Sequence, residues 1–267
     1  MSRSRAAAGS FAAFAVIAAS LLGTAPAQAA PLPSGATINV IPDDGGIYAV
    51  NSTNAVGSLV GTASGSPNFA AIDVNQSGQG YAIAQDNEGE GSSFLYSANA
   101  VTGTLTELVE ITNGGDSMRG CQGIDLSNAG VLTVSCIVDT GESLISLIGT
   151  VDPATGAFTG RTDFTTAADD LVRALASNSA GTLYYFTEFG EIFILEASDE
   201  STPVATADGR ILGADFDITD QLWVTIGADG FEVPSEVKNT LETLNVTTGR
   251  SLSSHRTRRR PTHSSTP

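Results

Sequence analysis

Two series of tight turns alternate along this chain, and their spacing limits the fold more than any single residue does. One series closes segments in which an apolar strand runs into a polar turn: IYAVNSTNAVGSL at Gly57, LYSANAVTGTL at Gly103, IGTVDPATGAF at Gly156 and ETLNVTTGR at Gly249. The other series lies between these: AIDVNQSGQGYAI at Gly78, GIDLSNAGVLTV at Gly130, ALASNSAGTLYYF at Gly181 and GADFDITDQLWV at Asp220. Turns of one kind recur every ~50 residues, the length of a four-stranded propeller blade. One member is skipped before Gly249. It falls near Thr202 in ILEASDESTPVA, where Pro203 stands in place of the glycine.

Between the turns, from Ala36 to Arg250, short runs of Val, Ile, Leu, Tyr and Phe alternate with polar residues, as in TLYYFTEF and QLWVTI. This is the pattern of an all-β fold. The one weakly helical stretch, TAADDLVRALA, reads as a loop entering a strand, because Val172 to Ala176 aligns with Cys121 to Asp125. With the strands of a blade named A to D from the axis outward, the second series gives A–B turns and the first gives C–D turns. The expected fold is a β-propeller of four complete four-stranded blades plus an N-terminal half-blade, open or truncated at its C-terminal end. A single blade cannot bury both its faces, so packing against its neighbours is part of its stability.

The basic start MSRSR, the apolar run after it and the small residues Ala27 and Ala29 read as a secretory signal over residues 1–29; an uncleaved N-terminal anchor is the alternative. Residues 30–37 read as a linker, 38–250 as the propeller and 251–267 as a disordered basic tail with one apolar side chain, Leu252. The abrupt change at the tail suggests a truncation or frame scar. A polybasic anchor for an anionic cell-wall polymer is the functional alternative. Elsewhere no run approaches the ~20 apolar residues that span a bilayer. The expected location is extracellular or in the cell envelope.

Net charge is −17, and all 29 acidic residues lie between Asp43 and Glu242. Such a surface repels phosphate backbones, which excludes nucleic acid as a partner of the core. The partners left are an extracellular protein, a glycan or a small polar ligand. The core also lacks imidazole: His255 and His263 both lie beyond Arg250, so a Ser-His-Asp relay or a His-bound zinc has no base or ligand there.

The two cysteines flank one A–B turn. If Ser127 to Gly130 form a four-residue loop, Leu126 faces Val131 and Cys121 faces Cys136, within disulfide reach. Export to an oxidising compartment favours a Cys121–Cys136 bond over two buried thiols.

Loops after the B strands carry Asp86, Glu88 and Glu90; Asp139 and Glu142; Glu188 and Glu191; and Asp229, Glu232 and Glu236. In a propeller these loops share one face with the D–A loops, where Arg119, Arg173 and Arg210 enter the innermost strands. Charge balancing among crowded loops is one reading. The other is a site: Ca²⁺ held by oxygens from Asp86, Glu88, Asp139, Glu188 and Asp229, or a polar ligand gripped by Arg119, Arg173 and Arg210. The string Asp215, Asp217 and Asp220 lacks the glycine and distal glutamate of an EF-hand and reads as an A–B turn. Asp43-Asp44-Gly45-Gly46 likewise reads as a tight turn.

At LYSANAVTGTLTEL, GTVDPATGAFTGR, LASNSAGTLYYF and ADFDITDQLWV the chain resembles secreted bacterial β-propellers with Asp-Pro-x-Thr-Gly turns, of the quinoprotein-like, YVTN-type and SMP-30/gluconolactonase-like superfamilies. The resemblance implies a blade rather than an activity, since the Thr-Gly turn is demanded by hairpin geometry. Quinoprotein dehydrogenases carry a tryptophan soon after this turn; AFTGR has none, and Trp223 is the chain's single tryptophan. SMP-30-like lactonases use a divalent metal held by carboxylates and amides, and no motif here assigns those ligands. The leading expectation is an exported acidic propeller that binds or scaffolds without catalysis. The alternatives are a metal-dependent lactonase-like hydrolase and a partial propeller without activity.

Overall fold

The structure is a computed structural model that describes residues 37–40, 46–51, 57–62, 68–75, 77–86, 91–161, 171–198, 200–227 and 240–256. The expected signal, residues 30–36 of the expected linker, Glu88, Glu90, Asp229, Glu232, Glu236 and residues 257–267 lie outside the described residues, whereas Thr37, expected at the end of the linker, opens the first strand. The described elements are all β. Among the described residues no helix is long and apolar enough to cross a membrane.

An N-terminal sheet contains β1 (Thr37–Val40), β2 (Gly46–Asn51) and β3 (Gly57–Thr62). The first full blade follows with β4 (Asn68–Val74), β5 (Gln79–Gln85), β6 (Ser93–Asn99) and β7 (Thr104–Glu110). A small hairpin, β8 (Thr112–Asn113) and β9 (Asp116–Ser117), leads to the second blade. That blade has β10 (Gly123–Leu126), β11 (Leu132–Asp139), β12 (Leu144–Val151) and β13 (Phe158–Gly160). The third has β14 (Val172–Ser177), β15 (Leu183–Thr187), β16 (Glu191–Leu195) and β17 (Ser201–Thr206). The fourth has β18 (Arg210–Phe216), β19 (Leu222–Gly227), β20 (Thr240–Leu244) and β21 (Ser251–Arg256). Each sheet is an antiparallel meander in chain order. The first strands of the four full blades, β4, β10, β14 and β18, pack successively side by side as the inner layer.

The core lies between sheets, which is what blade stacking demands. In β15 the two-residue period sends Tyr184 and Phe186 into a cluster with Ile211, Leu222 and Val224 of the fourth blade. Tyr185, between them, joins Ile148 of the second blade. A single LYYF run thus serves two interfaces. Full burial of a side chain such as Phe186 contributes ~2–3 kcal/mol. Ile83 and Leu95 of the first blade pack with Ile124, Leu132 and Val134 of the second, and the Cys121–Cys136 disulfide lies within this cluster.

The C–D glycines have a reason beyond turn geometry. Besides positive φ, Gly156 and Gly249 press against the outer strand of the preceding blade: an added Cβ would stand 2.0 Å from the Glu110 carbonyl oxygen and 2.2 Å from that of Thr206. The Gly156 carbonyl accepts the Thr112 amide at 2.9 Å. Turn and blade seam are therefore one feature.

Four expectations need correction. The third blade's C–D turn spans Glu196 to Glu200, closed by the Glu196 amide on the Glu200 carbonyl at 2.9 Å. Pro203 sits in β17 opposite Phe193, beside a bulge, and an outer edge strand tolerates a residue without an N–H. Secondly, Ser251–Arg256 is not tail but the outer strand β21, paired with β20 from Leu244↔Ser251 to Thr240↔Arg256. An outer strand needs backbone partners more than apolar side chains, and Ser251 and Leu252 are exposed accordingly. The strand therefore runs past the expected boundary at residue 250, and His255 belongs to it. Thirdly, among the described residues the N-terminal sheet has three strands, one more than a half-blade. Finally, Leu126 faces Leu132 rather than Val131, with Ser127 to Val131 closing the turn. The ladder regains its register before Cys121, where the Ile137 amide meets the Gly120 carbonyl, and Cys121 reaches Cys136 as expected.

Candidate functional site

Every inner strand runs between the same two mouths of the channel, so residues at one end of β4, β10, β14 and β18 converge whatever their distance in sequence. At the A–B turn end the side chains follow the repeat. The residue three before each turn residue caps the turn: Asn75 Oδ1, Ser127 Oγ, Asn178 Oδ1 and Asp217 Oδ1 each accept amides of their own loop. Two residues earlier stand Asp73, Asp125, Ala176 and Asp215. Three of the four inner strands therefore bring an aspartate to the same level.

Asp73 and Asp125 are staples. Asp73 Oδ2 accepts the Leu126 amide at 2.5 Å, and Asp125 Oδ1 accepts the Ser177 amide at 2.7 Å. Leu126 and Ser177 hold the same repeat position, so each carboxylate ties its blade to the next. Ser177 Oγ adds bonds of 2.8 and 3.0 Å to both Asp125 oxygens. Between the third and fourth blades Ala176 has no such group, and Asp220 substitutes, accepting the Ser179 amide at 2.7 Å and its hydroxyl at 2.5 Å. Each neutral bond of this kind contributes ~1 kcal/mol, and those to a charged group about twice that. Asp215 differs: among the described residues no amide of another blade reaches it.

Asp73, Asp125, Ser177, Asp215, Phe216 and Asp217 line one cleft of about 120 Å³ with Asn128 and Ser179 at its rim. Its carboxyls divide into two kinds. Burial, reinforced by the charge of Asp125, pushes Asp73 up to about 7 against the opposing pull of the Leu126 and Val74 amides. Asp215 is raised well above the carboxylate range by burial and then by Asp73. Burial also raises Asp125, less the effect of its Ser177 bonds. Asp217 is partly desolvated too, yet hydrogen bonds from Thr219 and the Trp223 indole hold it low. Asp220 is held low by Ser179. One mouth thus places proton-holding carboxyls beside ionised ones, an arrangement typical of functional sites.

At the opposite mouth, where sequence reasoning placed the acids and arginines, Glu188 receives Arg173 Nε at 2.8 Å, a second Arg173 nitrogen, and Arg210 Nη2 at 3.2 Å. Arg119 is exposed, its backbone bridged to Ser92. Asp139 is exposed and accepts the Gly141 amide of its own loop at 2.8 Å. The Asp86 amide donates to the Ser92 carbonyl at 3.0 Å. Arg173, Arg210 and Glu188 are brought together here. Among the described residues no three His, Cys, Asp or Glu side chains are grouped to hold a metal ion, and Glu88 and Asp229 lie outside them. The signal for the other mouth was present in the sequence: Asp73, Asp125 and Asp215 each stand five residues before their turn residue, in AIDV, GIDL and ADFD. Reading DFDITD wholly as a turn hid Asp215, which ends the inner strand.

No family model matches the chain, and no curated protein matches it. Solved structures do. An aldose sugar dehydrogenase from Streptomyces coelicolor in its PQQ-bound form superposes with a TM-score of 0.51 at 10% identity, over 79% of this chain and 91% of that one. A thermostable family-43 glycoside hydrolase superposes with 0.53 at 12% identity, over 81% and 91%. A calcium-binding regucalcin from Agrobacterium tumefaciens gives 0.45 at 15% identity, over 73% and 66%. At such identities the likeness is one of fold, and the fold of this chain is that of the β-propellers.

Proposed function

We propose that this protein is an exported ligand-binding propeller whose A–B mouth takes up a small ligand bearing an ammonium group. The observation that carries this reading is Asp215, deep in the channel among like charges and, among the described residues, without the next-blade amide that Asp73 and Asp125 have. Three carboxyls offer acceptors in excess of donors, and a positive partner relieves the desolvation that raises them. A bare divalent ion suits the cleft less well. Asp125 has both oxygens bonded to Ser177, and Asp73 has one committed to Leu126, so they are not free to close to the 2.3–2.6 Å that calcium requires. An ammonium group is satisfied at hydrogen-bond distance by oxygens already in place. Phe216 also lines the cleft, beside the acidic groups. The signal-like N-terminus and the Cys121–Cys136 bond support action outside the cell.

Calorimetric titration of the full chain with ethylammonium tests the reading. Binding is expected to strengthen from pH 6 to pH 8, because protons leave the carboxyls as the cation enters, and to weaken about tenfold or more in Asp215→Asn. Equal affinity in the variant, or no binding, would refute it.

The value of about 7 for Asp73 favours a second reading, carboxyl-catalysed hydrolysis, since a general acid or base works best near the operating pH. On this reading lactone or glycoside turnover survives chelation and is lost in Asp73→Asn. No turnover by the native chain rejects it.

A further inference from the structure

The opposite end of the channel holds a second cavity of about 230 Å³, bounded by Asn68, Ala70, Gln85, Gln122, Arg173 and Leu212. Its chemistry is the reverse of the acidic mouth. Two guanidinium groups, those of Arg173 and Arg210, converge on a single oxygen, Glu188 Oε2. Among the described residues these three side chains together carry one positive charge. Arg210 Nε is shut off from solvent and has no acceptor among the described residues. Arg173 Nη1 donates to Gln122 Oε1, so the Gln122 carboxamide has its N–H donors left to offer. Asn68 and Gln85 face each other across β4 and β5 and add two more carboxamides, neither bonded to another side chain among the described residues. Ala70 and Leu212 supply apolar wall.

We infer that this mouth is a binding site for a small monocarboxylate with a short apolar stem. A planar carboxylate matches that one positive charge and flanking N–H donors. A phosphate dianion calls for more positive charge than these three side chains carry. The volume equals that of about seven or eight waters, which accommodates a chain of a few carbons. The site lies at the other end of the inner strands from the acidic cleft and rests on none of its residues.

Butyrate is the probe, titrated into the full chain at constant ionic strength and followed by calorimetry or amide chemical shifts, with chloride and inorganic phosphate alongside. Saturable butyrate binding is expected, tighter than that of either comparison anion. It should weaken at least tenfold in Arg173→Lys, which keeps the charge but loses the fork, and several-fold in Gln85→Leu, which leaves the ion network intact. The inference is overturned if butyrate does not saturate by about 10 mM, if phosphate or chloride binds as well, or if Gln85→Leu, shown to be folded, binds butyrate as the native chain does.

Discussion

Replacing Asp73 with Asn removes a titrating group while keeping an oxygen for the Leu126 amide, so it isolates the electrostatics of the acidic mouth from its stapling. In the folded protein Asp73 is raised from the ordinary 3.8 to about 7. An acid raised by folding holds its proton in the native state at pH values where the unfolded chain has lost it. Stability from this group is therefore undiminished below about pH 4, falls as pH rises, and is reduced in full above about pH 7. Roughly three units at 1.36 kcal/mol each set an upper bound of about 4 kcal/mol, shared with Asp125 through their repulsion. Urea unfolding at about pH 4 and pH 8 provides the assay. Native and variant chains should be nearly equal at the lower pH, and the variant should be more stable at the higher by a few kcal/mol. A variant less stable than the native chain at pH 8, or differing from it equally at both values, would refute the reasoning.

Gly249→Ala should cost well over the ~1–2 kcal/mol of a positive φ alone, because its Cβ would stand 2.2 Å from the Thr206 carbonyl oxygen, whereas Gly130→Ala, with nothing within 4 Å, should cost only the backbone term; denaturant midpoints decide. Reducing the Cys121–Cys136 bond, whose partners are 15 residues apart, should add two hydrogens to the intact mass and lower stability by about 3 kcal/mol. Asp220→Ala removes both acceptors of Ser179 and should raise amide exchange in the Asn178–Thr182 turn while leaving β5 and β11 protected. Uniform exchange changes across all blades would contradict that local role.

Blade number and turn positions were legible because hairpin geometry imposes residue types: Gly103, Gly156 and Gly249 announce C–D turns, and Gly78, Gly130 and Gly181 announce A–B turns. Asp220 takes the same place with a φ of 60°, which aspartate tolerates. The disulfide was legible because both partners lie in one ladder. Less visible was anything depending on partners outside the hairpin. Pro203 reads as a turn residue until the edge position of β17 is known, and Ser251 to Arg256 look unfit for a strand until β20 provides the backbone partners. The acidic cleft at the A–B mouth escaped the sequence reading for a related reason. Loop carboxylates such as Asp139 are conspicuous in sequence but satisfy their own loops, whereas Asp73, Asp125 and Asp215 hide inside apolar strands and meet only through the shared channel.

Carboxyl carbon chemical shifts of the aspartates, followed across pH 3 to 9 in the folded chain, test the central claim most directly. The convergence of three inner strands on one acidic cleft predicts that Asp73 titrates near 7, that Asp215 titrates well above the ordinary range, and that Asp125→Asn brings Asp73 down. Aspartates that all titrate below about 5, with Asp73 unmoved in that variant, would mean that these strands do not face one another around a common axis.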